Sequence, residues 1–585
     1  MFEVIHNKEK SRFKIEDWLH NYRLSQEHRG SWESQARQCL RVRENDIPEG
    51  QGLPNFKNYR GRYYKDNMIF KHIKWLEAKH ACSMIGYDVD SMTTYRDENT
   101  ELLEMELNML SSQLEIAKYT SSAVSDMLYT GMGYVRLWWD KKRVSVANKT
   151  GSPVIEHVSC MKMYLDANTH HPDKSDMDHI FHVEKYHWQN LSIEYPEMKG
   201  EFKKRADRNG LVEVVLVQYK TEHDIECVLM TDRGQHPEKE WIVPIEEMEN
   251  GKSVIENDSV TVSFPFEVRK TFWYEAKFFP DLKRLIQLPT FVGEFCSYHV
   301  IHYQHQLNSA YSLGLCYYMY NLLEINIALM TSLMVQAFQY QKADRLIVSG
   351  ALLNEEQYIV EGRKYDIPAL ISPEYNETHP GEDPVRYLKM PDFPQAFILL
   401  NSMLKESMMD ISGVTKALQG ESEFANESGV QLSLKQNAGQ TYHKFEQLRY
   451  QHLLLDIGKS LLWMISQFRM HPHPVSFLNE ENQEEMVMVN DPEVNPFTFE
   501  PDRVTISCIM EEDVAMMKQL QYEKHLGLFD RGVMSGRKLL DSADVPHAQM
   551  VYDEAMHEKG IFEIMEFIKE NPDAMDQVKQ LMGQG

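Results

Sequence analysis

The stretch from Pro394 to Phe468 constrains the fold of this chain more than any other. Phe397, Leu400, Leu404, Met408 and Ile411 recur at steps of three and four, so Gln395–Ile411 predicts a helix with one apolar face. Pro394 suits its start and Gly413 its end. Gly413–Ser428 then loses the periodicity and gathers Gly413, Gly420, Asn426 and the acids Glu421, Glu423 and Glu427, with Lys416 as its one base. Ser428 and Gln431 have the spacing of a capping box. From Gly429 to Phe468 there is no proline, and Leu434, Ala438, Tyr442, Phe445, Leu448, Leu455, Leu462, Ile465 and Phe468 keep a helical spacing. Forty residues in one helix measure about 60 Å. A rod of that length must cross a whole domain or an assembly.

With 585 residues the chain exceeds what one core serves, and two to four domains are expected. Its formal net charge of −26 argues against a protein that wraps nucleic acid, which needs clustered Lys and Arg. The seven cysteines are scattered and never in C-x-x-C spacing, which reads as reduced thiols rather than a disulfide framework or a zinc site. Met1–Lys10 holds no apolar core of a signal peptide, so none is expected. Leu315–Val335 has the length of a membrane span and a single charge, Glu324. It also holds Asn321, Asn326, Thr331, Ser332 and three tyrosines, which are costly at bilayer depth. A buried or inter-subunit helix is the expectation there.

In chain order, Ile15–His28 predicts a helix, Trp32–Ala36 leads on to a Pro-, Gly- and Asn-rich loop at Ile47–Lys57, and Asp66–Tyr87 is helical in pattern. Asn99–Gly131 reads as one long amphipathic helix or a pair, with Glu101, Glu104 and Glu106 near its start, where the helix dipole favours acids. Thr130-Gly131-Met132-Gly133 turns into a strand at Tyr134–Asp140. Short β-like runs follow at Pro153–Val158, Met163–Asp166, Ile180–Glu184, Leu211–Tyr219, Glu226–Met230 and Val260–Val268. The low-charge helix extends to Gln341. Runs at Arg345–Ser349, Asp366–Ile371 and Val385–Met390 predict a small β insert before the helix at Gln395. Arg503–Met510 reads as a last strand, and Glu511–Gly585 as helices broken at Gly532, Pro546 and Pro572.

No phosphate-binding loop, nucleophile elbow, dinucleotide fingerprint or H-E-x-x-H is evident. His170, His171, Asp173, Asp176, Asp178, His179, His182 and His187 could suggest a metal-dependent enzyme, with His179 and His182 sharing a helix face. The pattern around them is strand and loop, so no metal, cofactor or catalytic residue is expected. A membrane-associated scaffold using residues 315–335 is the other alternative.

Several phrases resemble one family. Asp410-Ile411-Ser412-Gly413-Val414, Ala417-Leu418-Gln419-Gly420 and Glu427-Ser428-Gly429-Val430-Gln431-Leu432 are similar to the segment of portal proteins of tailed double-stranded-DNA bacteriophages in which a helix ends, a loop follows and a long helix begins. The helix–glycine turn–strand phrase at 130–140, the run Val158–Ala167, and the order helix, β insert, returning helix resemble the same family. Cys160 and Ala167 stand where the family usually has proline, and the small residue usual after the valine at position 430 is missing.

The resemblance implies an α+β portal fold. Residues 1–311 would form an N-terminal arm and mixed α/β wing, 312–341 and 393–412 two stem helices, and 342–392 a β-containing clip. Residues 413–428 would form a tunnel loop, 429–510 a very long wing helix with a return strand, and 511–585 a helical crown. It implies a homo-oligomeric ring, commonly a dodecamer, at one vertex of the virion, assembled in the host cytoplasm. Its partners would be the terminase large subunit, major capsid and scaffolding proteins and head–tail connector or tail proteins. Double-stranded DNA would pass through without sequence-specific binding. Gly413, Lys416, Gly420, Glu421, Glu423, Asn426 and Glu427 would face the channel. Leu315, Tyr318, Asn321, Ala328 and Ala337 would lie at subunit interfaces, and Glu374, Asn376, Glu382 and Asp383 on the clip would contact partners.

Overall fold

The computed structural model describes residues 12–47, 64–81, 84–91, 98–144, 149–232, 239–245, 260–341, 345–360, 369–387, 395–416, 441–469, 472–478, 484–489 and 504–511, with Leu418, Gly439 and His525. The chain divides into two compact units. One holds residues 1–80 and 87–508, and the other joins 81–86 to 509–585. Nearly all of the second, including the expected C-terminal helices, lies outside the described residues.

Helix α1 (Ile15–Arg43) opens with Glu16 and Asp17 and closes with Arg41 and Arg43, as the helix dipole favours. It runs well past His28, where the sequence pattern predicted its end. Trp32, Ala36, Cys39 and Val42 continue its buried face as far as Arg43; of the loop expected at Ile47–Lys57, all but Ile47 lies outside the described residues. Helix α2 (Met68–Ala81) is shorter than predicted, and Tyr87 lies instead in strand β1 (Met84–Ser91). The Asn108 side chain bonds both the N–H and the carbonyl of Tyr87 at 2.8 Å, while the Tyr87 hydroxyl donates to the Leu454 carbonyl at 3.0 Å. The long amphipathic segment is a pair, α3 (Glu98–Gln113) and α4 (Ile116–Thr130). Glu115, at φ 51°, breaks them apart.

Strands β2 (Met132–Asp140) and β3 (Ser152–Val158) pair antiparallel, and β11 (Tyr298–His302) adds on the other edge of β2. Gly131 between α4 and β2 sits at φ 97°, and a Cβ there would run into the Ser312 carbonyl. That close approach explains the glycine turn. The larger antiparallel sheet contains β4 (Met163–Leu165), β5 (His179–His187), β6 (Leu211–Asp232), β7 (Lys239–Pro244), β8 (Val260–Val262), β9 (Phe266–Phe279) and β10 (Arg284–Gly293), in the order β10-β9-β6-β5-β4. Strands β7 and β8 flank the far end of β6. Where the sequence suggested two strands, at 211–219 and 226–230, β6 is one strand of 22 residues. Helices α5 (Trp188–Glu194) and α6 (Lys199–Arg205) bury Leu191 and Phe202 against Phe279.

Helix α1 holds the two sheets together. Leu19 and Tyr22 pack on Phe181, Val215 and Tyr274 of the large sheet. Trp32 packs with Tyr134 and Tyr311, and its indole N–H meets the Thr130 and Ser312 carbonyls at 3.0 and 2.9 Å. Arg29 is fully buried, donates to the Met161 carbonyl at 2.8 Å and lies 4.0 Å from the Tyr164 ring centre. A buried guanidinium needs such acceptors to offset its lost hydration.

The two-residue strands β12 (Gln304–His305) and β13 (Ser312–Leu313) lead into α7 (Leu315–Gln341), whose bounds match the expected low-charge helix. The insert after it holds β14 (Arg345–Ile347), α8 (Glu355–Val360), α9 (Pro373–Thr378) and β15 (Val385–Tyr387). The two strands pair, as expected of a small β module; its two short helices had no clear sequence pattern. Helix α10 (Gln395–Ser412) returns and packs on α7. Only part of the predicted forty-residue rod lies among the described residues, where Gly439, Thr441 and Tyr442 are helical and His443 is a turn. Helix α11 spans only Lys444–Phe468, 25 residues, and His443 interrupts the path before it at φ −90° and ψ 3°. The buried His443 side chain approaches Glu446 at 3.3 Å. Residues 429–438 lie outside the described residues. Strands β16 (His473–Leu478) and β17 (Glu484–Val489) form an unforeseen hairpin, and β18 (Val504–Glu511) pairs with β1.

Candidate channel loop and assembly surfaces

Among the described residues no cluster of His, Cys, Asp or Glu could hold a metal ion. The histidine-rich run shows why. His179 and His182 lie on strand β5, where an offset of three puts them on opposite faces, not on a shared helix face. His179 turns to Asp166 at 3.5 Å and His182 to the Tyr298 hydroxyl at 3.0 Å. Asp176 accepts from the His170 and His171 N–H groups, and Asp173 caps Ser175. These carboxylates hold a loop together. No helix among the described residues is long and apolar enough to cross a membrane.

Helices α7 and α10 cover each other only in part. Helix α7 leaves Tyr317, Tyr318 and Ile325 exposed, together with Asn321, at helical spacing. Helix α10 leaves Ile398, Leu399, Leu400 and Met403 between 41% and 63% exposed. Leu315 and Ala328 are buried within the subunit, and the side chain of Ala337 lies outside the described residues. Tyr318 and Asn321 were named from the sequence, while Ile325, Ile398, Leu399 and Met403 were not, because apolar periodicity marks a covered face without saying what covers it.

On the insert, Glu374 and Asn376 are exposed on α9, and Glu382 and Asp383 are exposed in the turn that follows. Tyr375 stacks on His379 at 4.9 Å and steadies that helix.

Gly413 ends α10 at φ 68°, a conformation L side chains rarely adopt. The Ser412 hydroxyl bonds the buried His72 ring at 3.0 Å and accepts from the Val414 N–H at 3.2 Å. The chain then surfaces at Thr415 and Lys416, both exposed. Tyr442 returns to this point, its ring against Gly413 and its hydroxyl on the Ile411 carbonyl at 3.1 Å. Leu418 likewise lies against Gly439. The two ends of this segment are therefore clasped at one base, through Gly413 and Tyr442 and through Leu418 and Gly439. Gly420, Glu421, Glu423, Asn426 and Glu427 lie beyond it, outside the described residues.

The described residues thus hold an antiparallel core, two helices with exposed apolar side chains, a β insert between them and a clasped loop. The family model of phage P22-like portal proteins matches residues 19–278 and 325–583, so the chain belongs to the phage P22-like portal protein family. No curated protein matches it. As a portal protein it is a structural component of the phage particle, forming with its copies the oligomeric ring at the portal vertex of the capsid, where DNA is packaged.

Proposed function

We propose that twelve copies close into the ring, with the α7–α10 pair of each subunit set against its neighbours around a central channel. The exposed apolar side chains of the two helices carry this reading: α7 leaves Tyr318 and Ile325 exposed with Asn321, and α10 leaves Ile398, Leu399 and Met403 exposed. Exposed apolar side chains in such number mark an interaction surface. Head-to-tail contacts of this kind close a ring. Helices α7 and α10 act as the stem and residues 342–392 as the clip. Exposed Glu374, Asn376, Glu382 and Asp383 there meet the terminase large subunit during packaging and connector or tail proteins afterwards. Residues 1–311 and 429–510 form the wing, which meets capsid and scaffolding proteins, and 511–585 the crown. Assembly takes place in the host cytoplasm, and the same channel releases DNA at ejection.

Residues 413–428 form the loop that faces DNA. Lys416 supplies one weak, salt-screened phosphate contact per subunit. Glu421, Glu423 and Glu427 keep DNA from sticking, which suits a channel through which it must slide.

Leu399→Glu tests the stem interface. Leu399 is 63% exposed in one subunit, so the change leaves the subunit folded but puts a charge in the ring contact. Sedimentation should show single folded subunits, and intact rings would refute the assignment.

A further inference from the structure

Two cysteines far apart in sequence meet in the core of the first unit. Cys39 lies near the end of α1, and Cys316 is in the first turn of α7. They are separated by 277 positions. Helices α1 and α7 pack on each other. The Cys316 Sγ lies 4.0 Å from the Cys39 carbonyl oxygen, and the two thiols are hydrogen-bonded to each other. Both are free thiols, and both are buried. Cys160 and Cys296 are placed differently. The first accepts from the Thr130 hydroxyl at 3.4 Å, and the second donates to the Gln218 side chain at 3.6 Å. Neither of those two meets a second thiol among the described residues.

The contact suits a covalent bond. Packed helices stand about 8–10 Å axis to axis, with Cα atoms on cylinders of about 2.3 Å radius. Cysteines that face each other across such a contact have Cα atoms about 3–6 Å apart. That overlaps the separation a disulfide takes, about 4.4–6.8 Å. The contact with Cys39, and burial after it, hold the Cys316 thiol protonated, with its pKa well above the usual value. The pair is therefore slow to oxidise, and its reaction waits on local opening between the helices.

We propose that Cys39 and Cys316 form a redox-dependent staple, two thiols in reducing surroundings and a disulfide once hydrogen peroxide reaches them. One thiolate attacks a peroxide oxygen, the O–O bond breaks, and that cysteine becomes a sulfenic acid as the first water leaves. The second thiol attacks the same sulfur, the S–S bond forms, and a second water leaves. Two thiols thus lose two electrons and two hydrogens, and one peroxide is reduced to two waters. The staple joins α1, which holds the two sheets together, to the start of α7. It closes a loop of several hundred residues, so it restricts the unfolded chain strongly. A phage particle that leaves its host cell passes from reducing to oxidising surroundings, and there the staple closes. None of this rests on the ring contact proposed above.

Peroxide treatment of the folded full-length protein tests it. After several hours the remaining thiols are blocked with N-ethylmaleimide, and the chain is digested and analysed by mass spectrometry without reduction. A peptide pair linking Cys39 to Cys316 should appear and should vanish on treatment with dithiothreitol. The oxidised chain should still run as a single chain on a non-reducing gel. Its melting temperature should fall by about 3 °C or more when dithiothreitol is added. That reductant leaves methionine sulfoxide in place, so the fall isolates the disulfide. Cys39→Ala and Cys316→Ala should each abolish the linked peptide and the fall. The peptide measurement uses the unaltered protein and so stands even if a variant misfolds. Both thiols still free after oxidation, sulfinic or sulfonic acid at either without the linked peptide, or a link from either to another cysteine would each overturn the proposal.

Discussion

Tyr442 lies across Gly413: its ring occupies the space where a Cβ would stand, and its hydroxyl donates to the Ile411 carbonyl at 3.1 Å. One contact thus fixes where the chain leaves α10 and where it comes back toward α11.

Gly413→Ala should cost about 1–3 kcal/mol, because it adds backbone strain at φ 68° and a clash with Tyr442. Tyr442→Phe keeps the ring and loses only the hydrogen bond, so it should cost about 1 kcal/mol. Urea denaturation of the two variants should separate these effects, and equal stability would place the strain elsewhere.

Lys416 is exposed at the mouth of the clasp. Lys416→Glu should therefore change DNA retention or packaging yield, with a melting temperature within about a degree of the parent, as is usual for exposed sites. Packaging equal to the parent at both low and high salt would remove the loop from the DNA path.

Glu106 is fully buried and lies 3.0 Å from both Arg469 and His473. It ties α3 to the end of α11 and the start of β16. Glu106→Gln would leave a buried guanidinium without its counter-charge, which should cost about 3–5 kcal/mol. Arg469→Met with Glu106→Gln should restore much of the loss, as measured in a double-mutant cycle.

Three histidines, His80 and His299 buried and His302 half-buried, set an acid limit. Burial holds His80, His299 and His302 at pKa values of about 4, below the usual 6.5. Between those values the unfolded chain binds more protons than the folded one, so stability falls as pH falls. Their contribution is fully present above about pH 6.5 and is lost progressively toward pH 4. Melting temperatures should drop across that window, and substituting His299 with Gln should flatten the drop.

Local pattern made the helices and many of the strands legible. The bounds of α7 and α10 follow directly from apolar spacing and from Gly314 and Gly413. Long-range pairing was not legible. Glu106 reads as an acid near a helix start, yet its partners lie more than 360 residues away. Asn108 bonds both backbone groups of Tyr87, 21 residues away, where a helix was expected and strand β1 stands. His443 fits a helical spacing in sequence, while its buried contact with Glu446 accompanies a break in the rod. At the candidate surfaces nothing in the sequence showed which side chains the subunit itself covers. Burial then separated Leu315 and Ala328, which fill the subunit core, from Tyr318 and Asn321, which face outward.

The central claim is that the α7–α10 face and the clasped loop build a closed channel. Negative-stain electron microscopy of the purified full-length protein tests it most directly. The account predicts rings of uniform size, twelvefold in class averages, with a stain-filled central hole. Single compact particles, or filaments that never close, would contradict it.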